Sequence, residues 1–188
     1  MQRFSFQPTD LFGLVAIRPR VVPDERGCLM KSFEQGIFRQ QGILLTPYED
    51  LTSQSRKGVI RGLHFQREYS QDKLVRVLYG AVYDVAVDLR RGSPTFGQWR
   101  GFTLSAENQE MLYIPKGFAH GFLALEPDTL FNYLCGDQYD PDSDGGIVWN
   151  DSELKISWPI DQIEELIISE KDQALPSFSW FCDHFGGL

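Results

Sequence analysis

The sequence has little of what most metal and thiol chemistry requires. Its cysteines are only Cys28, Cys135 and Cys182, odd in number, scattered, and never in Cys-x-x-Cys spacing. That argues against a disulfide framework or a zinc ribbon and fits unpaired thiols in a reducing, cytoplasmic compartment. Histidine is equally sparse: His64, His120 and His184, with no His-x-His pair. A metal site in a small β-barrel usually needs two histidines one residue apart, a carboxylate and a further histidine, so no metal is expected. No Gly-x-Ser-x-Gly elbow occurs, which removes one familiar route to nucleophilic catalysis. No apolar run approaches the roughly 20 residues of a membrane helix. Met1 to Pro8 lacks the apolar centre of a signal peptide, so neither membrane insertion nor export is expected. Lysine and arginine total 18 against 26 aspartates and glutamates, a net charge of -8. Sequence-independent nucleic-acid binding is therefore not expected. An anionic small molecule is still allowed, because a few arginines in one cleft dominate locally.

What is present is ordinary globular material: 188 residues, 42% hydrophobic and 23% charged, enough for a sizeable core. Leu14 to Arg18 reads as a strand continued through Pro19–Val22 to Pro23, and Asp24-Glu-Arg-Gly27 as a turn. Leu29 to Phe33 suits a strand. Glu34 to Gln41 suits a short helix with Phe38 inward and Gly42 as its stop. From residue 59 the pattern becomes short strands separated by Gly, Pro, Asp and Ser. They are Val59–Gln66, Leu74–Leu78, Ala81–Leu89, Trp99–Leu104, Met111–Ile114, Gly121–Leu125, Leu130–Leu134 and Gly146–Trp149. Such spacing predicts an all-β, mainly antiparallel sandwich or barrel. Gln162 to Ile168 has a helical, acidic texture. The tail carrying Phe178, Trp180, Phe181 and Phe185 is expected to pack on the domain or on a partner subunit. No linker or repeat interrupts the chain, which predicts one domain over residues 1–188.

The chemistry centres on Gly58-Val-Ile-Arg-Gly-Leu-His-Phe-Gln66. In a strand, Leu63 and Phe65 share one face while Gly62, His64 and Gln66 share the other, a face resembling a pocket floor. A hydrogen-bonded core histidine is the alternative for that strand alone. Asp84 lies inside the apolar run Val82 to Leu89, where a carboxylate is costly unless paired, and a histidine or lysine is its expected partner. Lys73 opens one strand, Tyr133 puts a polar tip in another, and His120 stands beside Gly121. Alone, each has a plain structural reading; together they share the strand-rich half.

These stretches resemble the dTDP-4-dehydrorhamnose 3,5-epimerase family. The resemblance runs in order through Asp24-Glu-Arg-Gly27, Gly58 to Gln66, Lys73-Leu-Val-Arg76, Val82 to Arg90, Ser93 to Gln98 and Leu104 to Asn108. It continues through Ile114 to Phe122, Gly146 to Asp151 and Ser169-Glu-Lys-Asp172. It implies a cupin-type jelly-roll β-barrel with short flanking helices that works without metal or cofactor as a homodimer. The substrate it implies is a nucleotide-diphosphate 4-keto-6-deoxyhexose, inverted at carbon 3, carbon 5 or both. The ketone acidifies the neighbouring carbons, so a base removes a proton and an acid returns one to the opposite face. By the resemblance, His64 is the base and Asp172 its orienting carboxylate. Lys73 stabilises the enolate oxygen, Tyr133 is the acid, and His120 with Asp84 shapes the pocket. Arg26 and Arg61 correspond to groups that grip the diphosphate, a task suited to guanidinium. Gln66 joins the substrate-facing set.

Two positions depart from the family pattern. Lys31 stands where a glutamate is usual, and Glu49-Asp-Leu51 replaces Gln-x-Asn. Both resemble nucleotide-contacting positions, which leaves a CDP-linked sugar open beside a dTDP-linked one. 3,4-Ketoisomerisation and a non-catalytic sugar-binding cupin are the competing readings.

Overall fold

The computed structural model describes residues 3–188; Met1 and Gln2, which begin the N-terminal segment read above, lie outside it. In chain order the elements are β1 (Phe4–Pro8), β2 (Val15–Pro19), β3 (Val21–Asp24), β4 (Gly27–Met30) and α1 (Gln35–Gln40). Then come β5 (Glu49–Ser55), β6 (Val59–Gln66), β7 (Lys73–Tyr79), β8 (Ala81–Asp88), β9 (Trp99–Ser105) and β10 (Met111–Ile114). The chain closes with β11 (Phe118–Ala124), β12 (Thr129–Cys135), β13 (Asp144–Gly146), β14 (Ile167–Ile168), α2 (Glu170–Gln173) and α3 (Phe178–Phe185). The strands expected from residue 59 onward are all represented. β6 and β10 have the expected bounds, β11 starts three residues earlier than expected, and the expected Gly146–Trp149 strand is instead the short β13. β1 and β5 were not foreseen. Gln162–Ile168 is not helical: a single 3-10 turn at Ile160–Gln162 leads to β14. Its β-branched Ile167 and Ile168 pair with Val59 and Ile60 instead of forming a helix face.

The first sheet runs β1-β2-β10-β7-β12-β5, and the second runs β13-β6-β11-β8-β9 with β14 added beside β6. β3 and β4 form a separate hairpin closed by the Asp24↔Gly27 pair, as the turn signal predicts. Every pairing is antiparallel except β14 with β6. The expected cupin-type barrel is not formed. The two sheets stay separate, and β5 on one and β13 on the other end their sheets as unpaired edges. All-β and mainly antiparallel holds; closure does not, because no ladder joins those edges.

Alternation along the strands sorts the apolar side chains into three layers. Val75, Val77, Val82, Ala86, Phe118, Phe122 and Phe131 fill the space between the sheets. On the outer face of the second sheet, Val85, Val87 and Leu123 lie under Trp158 and the Phe181 side of α3, so the aromatic tail packs on the chain itself. Phe38 of α1 covers the outer face of the first sheet with Phe4, Ile17 and Met111. Burying a side chain such as Phe38 contributes about 2–3 kcal/mol.

β6 departs from simple alternation. Its register against β11 shifts by one residue, from His120↔His64 to Phe122↔Arg61. Ile60, Leu63 and Phe65 consequently share the outer layer, while Val59 packs toward the interior. A regular strand would separate Arg61 and His64; the shift returns both to the inner side. Gly62, at φ +108°, occupies the irregularity, and a Cβ there would stand 2.6 Å from the His120 carbonyl oxygen.

After β8 the chain is held by Asp88, fully buried. Its carboxylate accepts from Arg90 N–H, Nε (2.9 Å) and Nη2 (2.7 Å), Ser93 Oγ (2.6 Å) and Thr95 Oγ1 (2.7 Å). Burial opposes its ionisation, but these donors prevail and hold it at about 2, below the ordinary 3.8. A depressed carboxylate adds stability above its unfolded value that disappears as pH falls through the folded one. The shift corresponds to about 2 kcal/mol. Asp88→Asn should therefore lower stability by about that amount at pH 7, with the difference from wild type shrinking between about pH 4 and pH 2. Urea unfolding midpoints across that range measure it.

Candidate active site

The outer edge of β6 is shared. β13 pairs with residues 64 to 66, β14 pairs with residues 59 and 60, and Leu63 exchanges hydrogen bonds with Ile147. Between them the Gly62 N–H points at a side chain: it donates to Asp172 Oδ2 at 3.2 Å. The other oxygen, Asp172 Oδ1, lies 2.8 Å from His64 Nε2. Asp172 is buried in α2, whose first turn is capped by Ser169 Oγ accepting from the Asp172 N–H at 3.1 Å. Burial works against ionising Asp172, but His64, the Gly62 N–H and the nearby Lys171 outweigh it and hold the carboxyl below its ordinary range. The dyad is thus a carboxylate fixed by backbone that orients a partly exposed imidazole.

His120 stands beside His64 as its register partner and is buried. Its Nε2 lies 2.6 Å from Asp84 Oδ1, the partnership the apolar setting of Asp84 predicts. Asp84 Oδ2 is buried with no hydrogen-bond partner among the described residues. Such a group is uncommon in folded proteins and suits a site that binds polar ligands.

The facing wall comes from the first sheet. The Tyr133 ring on β12 is 5.8 Å from the His120 ring, edge to face. Burial and the Asp84 charge push its phenol above the ordinary range, against the opposing pull of Ser53 and Arg61. Lys73 sits opposite Cys135 at the start of β7. Loss of water pulls its ammonium below the ordinary lysine range, although Cys135, Asp144 and Asp84 oppose this. The same burial raises the Cys135 thiol to about 11.

Arg61 donates from Nε to Ser55 Oγ at 3.2 Å and from Nη2 to the Gln54 carbonyl at 3.3 Å, which ties β6 to the edge strand β5. A cleft of about 350 Å³ opens there, lined by Arg56, Arg61, Ile168, Ser169 and Asp172.

Four other expected contacts lie differently. Arg26 is on the exposed hairpin, where among the described residues it pairs only with Asp24, at 2.6 Å. Lys31 pairs with Glu34 at 2.7 Å. Gln66 is buried with its amide used within the chain, and Glu49 accepts the Tyr139 N–H. Sequence reasoning overlooked the polar cluster Tyr139, Asp144 and Lys171 next to Asp172, in which Lys171 Nζ meets Asp144 Oδ2 at 2.7 Å. Lys171 adjoins Asp172 in the Ser169-Glu-Lys-Asp172 stretch, the one signal available for it. Among the described residues no group of three or more His, Cys, Asp or Glu side chains is arranged to hold a metal ion.

The family model described as dTDP-4-dehydrorhamnose 3,5-epimerase matches residues 8–179. The dTDP-4-dehydrorhamnose 3,5-epimerase of Methanothermobacter thermautotrophicus is 49% identical over 173 residues, 92% of this chain and 94% of that protein. The Escherichia coli enzyme of the same name is 49% identical over 169 residues, 89% and 90% of the two chains. Among solved structures, the dTDP-6-deoxy-D-glucose-3,5-epimerase of Legionella pneumophila in complex with dTDP-4-keto-L-rhamnose superposes with a TM-score of 0.89 at 44% identity. That match covers 93% of this chain and 92% of the other. The agreement of motif order, sheet architecture and sequence over nearly the whole length has one reading: the chain belongs to the dTDP-4-dehydrorhamnose 3,5-epimerase family of isomerases.

Proposed function

We propose that the chain, acting as one domain, inverts carbons 3 and 5 of a dTDP-linked 4-keto-6-deoxyhexose through enolate intermediates. The observation that carries this reading is the His64–Asp172 pair on the second sheet, with His64 the register partner of His120, whose ring meets that of Tyr133 from the first sheet at 5.8 Å. A proton taken by the imidazole on one face of the sugar is returned by the phenol on the other, which inverts the carbon. Asp172 stabilises the imidazolium that forms, as a buried carboxylate does beside a general base. Tyr133, held protonated by burial, starts in the form an acid must have. Lys73 has no ion-pair partner among the described residues, so its ammonium is available to the developing enolate oxygen. His120, fixed by Asp84, closes the floor. Arg61 and the cleft beside it suit the diphosphate.

The departures that opened a CDP-linked substrate lose force here. Within its own chain Lys31 pairs with Glu34, and Glu49 accepts the Tyr139 N–H, which gives both residues a role other than reading cytosine. The dTDP reading predicts clear preference for dTDP over CDP in a direct binding comparison; equal or reversed affinity would sink it.

The proposal includes a homodimer. The hairpin bearing Arg26 is mostly exposed, with Val22 47% and Leu29 74% exposed on it, and among the described residues its guanidinium is hydrogen-bonded only to Asp24. A second copy is the natural recipient. Arg26→Ala and His64→Asn proteins, each impaired, should then recover part of the activity when mixed, since a mixed dimer keeps one intact site. No recovery on mixing two variants shown to exchange subunits would remove Arg26 from the neighbouring site.

In deuterated water, wild type should place label at both carbons, located by NMR. His64→Asn should lower turnover by about 10²–10⁴-fold, the usual range for a lost general base. Label entering at the wild-type rate in that variant would overturn the assignment. Because burial lowers Lys73, the alkaline limb of kcat should fall below the ordinary lysine range. Lys73→Arg, which keeps its charge, should move that limb upward.

A further inference from the structure

The Asp137–Asp140 loop is held in an unusual way. At each of its four residues a main-chain group is met by a side chain from elsewhere. Gln71 Nε2 donates to the Asp137 carbonyl at 2.8 Å, and Gln66 Nε2 donates to the Gln138 carbonyl at 3.0 Å. The Tyr139 N–H donates to Glu49 Oε1 at 2.9 Å, and the Asp140 N–H donates to Gln66 Oε1 at 3.0 Å. Lys116 adds an ion pair to the Asp137 carboxylate at 3.0 Å. Glu49 lies on the edge strand of the first sheet and Gln66 on β6 of the second. The loop therefore bridges the two sheets at the place where no ladder joins them. Its Tyr139 side chain remains 54% exposed, with the hydroxyl 3.4 Å from Asp144 Oδ2. Asp144 also receives Lys171, next in sequence to the dyad carboxylate.

We infer that Glu49 and Gln66 are positioning residues that fix this loop, and with it Tyr139, next to the Asp144–Lys171 pair that adjoins Asp172, and that Glu49 acts on nucleotide affinity only through the loop. The affinity part rests on the nucleotide-sugar reading above; the loop part does not. Glu49 needs one acceptor oxygen facing the Tyr139 N–H. A glutamine at that position keeps such an oxygen, whereas an alanine removes it. Gln66 is almost wholly consumed: both amide hydrogens donate and its oxygen accepts, so no polar group is left for a substrate.

Two measurements on the full chain test this. Amide hydrogen exchange in the absence of ligand should show faster exchange at Tyr139 in Glu49→Ala and near wild-type exchange in Glu49→Gln. Binding of dTDP should weaken by about tenfold in Glu49→Ala, the worth of roughly one hydrogen bond, with kcat at saturation little changed. Glu49→Gln should bind dTDP as wild type does. In a Tyr139→Ala background, Glu49→Ala should cost nothing further. The inference is overturned if Glu49→Gln exchanges and binds like Glu49→Ala, if it changes the ratio of dTDP to CDP affinity, or if the Glu49 and Tyr139 effects add. Absence of dTDP binding by the wild type is a separate result that strikes the proposed function, since the exchange comparison contains no nucleotide.

Discussion

One carboxylate joins the architecture to the chemistry. Asp172 closes a gap in the hydrogen bonding of β6, where β13 has ended and β14 has not reached, by accepting the Gly62 N–H. Left alone in a buried edge, that donor would carry a desolvation cost of about 1–3 kcal/mol. The same carboxylate fixes the imidazole of His64. The strand irregularity that exposes the N–H also brings Arg61 and His64 to one side. His64, Asp172 and Arg61, the proposed base, orienting carboxylate and anion-binding group, are therefore arranged by a single local departure from regular pairing.

The unclosed sandwich gives that dyad something to face. Since the edges of the two sheets do not pair, a cleft opens between β5 and β6. Deeper in, aromatic and aliphatic packing excludes water. The electrostatic results follow from this setting: burial lowers the Lys73 ammonium and raises the Tyr133 phenol. A lysine that holds its charge less firmly and a phenol that keeps its proton suit a site in which negative charge appears briefly on a sugar oxygen. The overall charge of -8 does not prevent this, because Arg61 and Lys73 are local to the cleft while many acidic groups are exposed or paired elsewhere.

Much of the fold was legible because apolar alternation is a local property. Val59–Gln66 and Met111–Ile114 could be read with their bounds, and Asp24 to Gly27 could be read as a reversal, from residue type alone. β5 could not, since Glu49-Asp-Leu-Thr-Ser-Gln-Ser55 is an edge strand with little apolar signal. Gln162–Ile168 misled because a short stretch with spaced isoleucines and acids fits a helix until a neighbouring strand offers pairing to Ile167 and Ile168. Barrel closure failed for a related reason: whether distant edges meet is absent from any local pattern.

By itself the sequence determined the strand-rich class and the scarcity of metal ligands, and through a family resemblance it put forward His64, Lys73, Tyr133 and Asp172 as a candidate set. Only the tertiary structure decided how they are used. It placed Asp172 on the Gly62 N–H, turned Arg61 and His64 to the same side of β6 through a one-residue shift, and spent Gln66 and Glu49 on the Asp137–Asp140 loop. The physical reason is that residue type fixes what a side chain can donate, accept or ionise. Which partner satisfies it depends on groups brought close from more than a hundred residues away, as for Gly62 and Asp172.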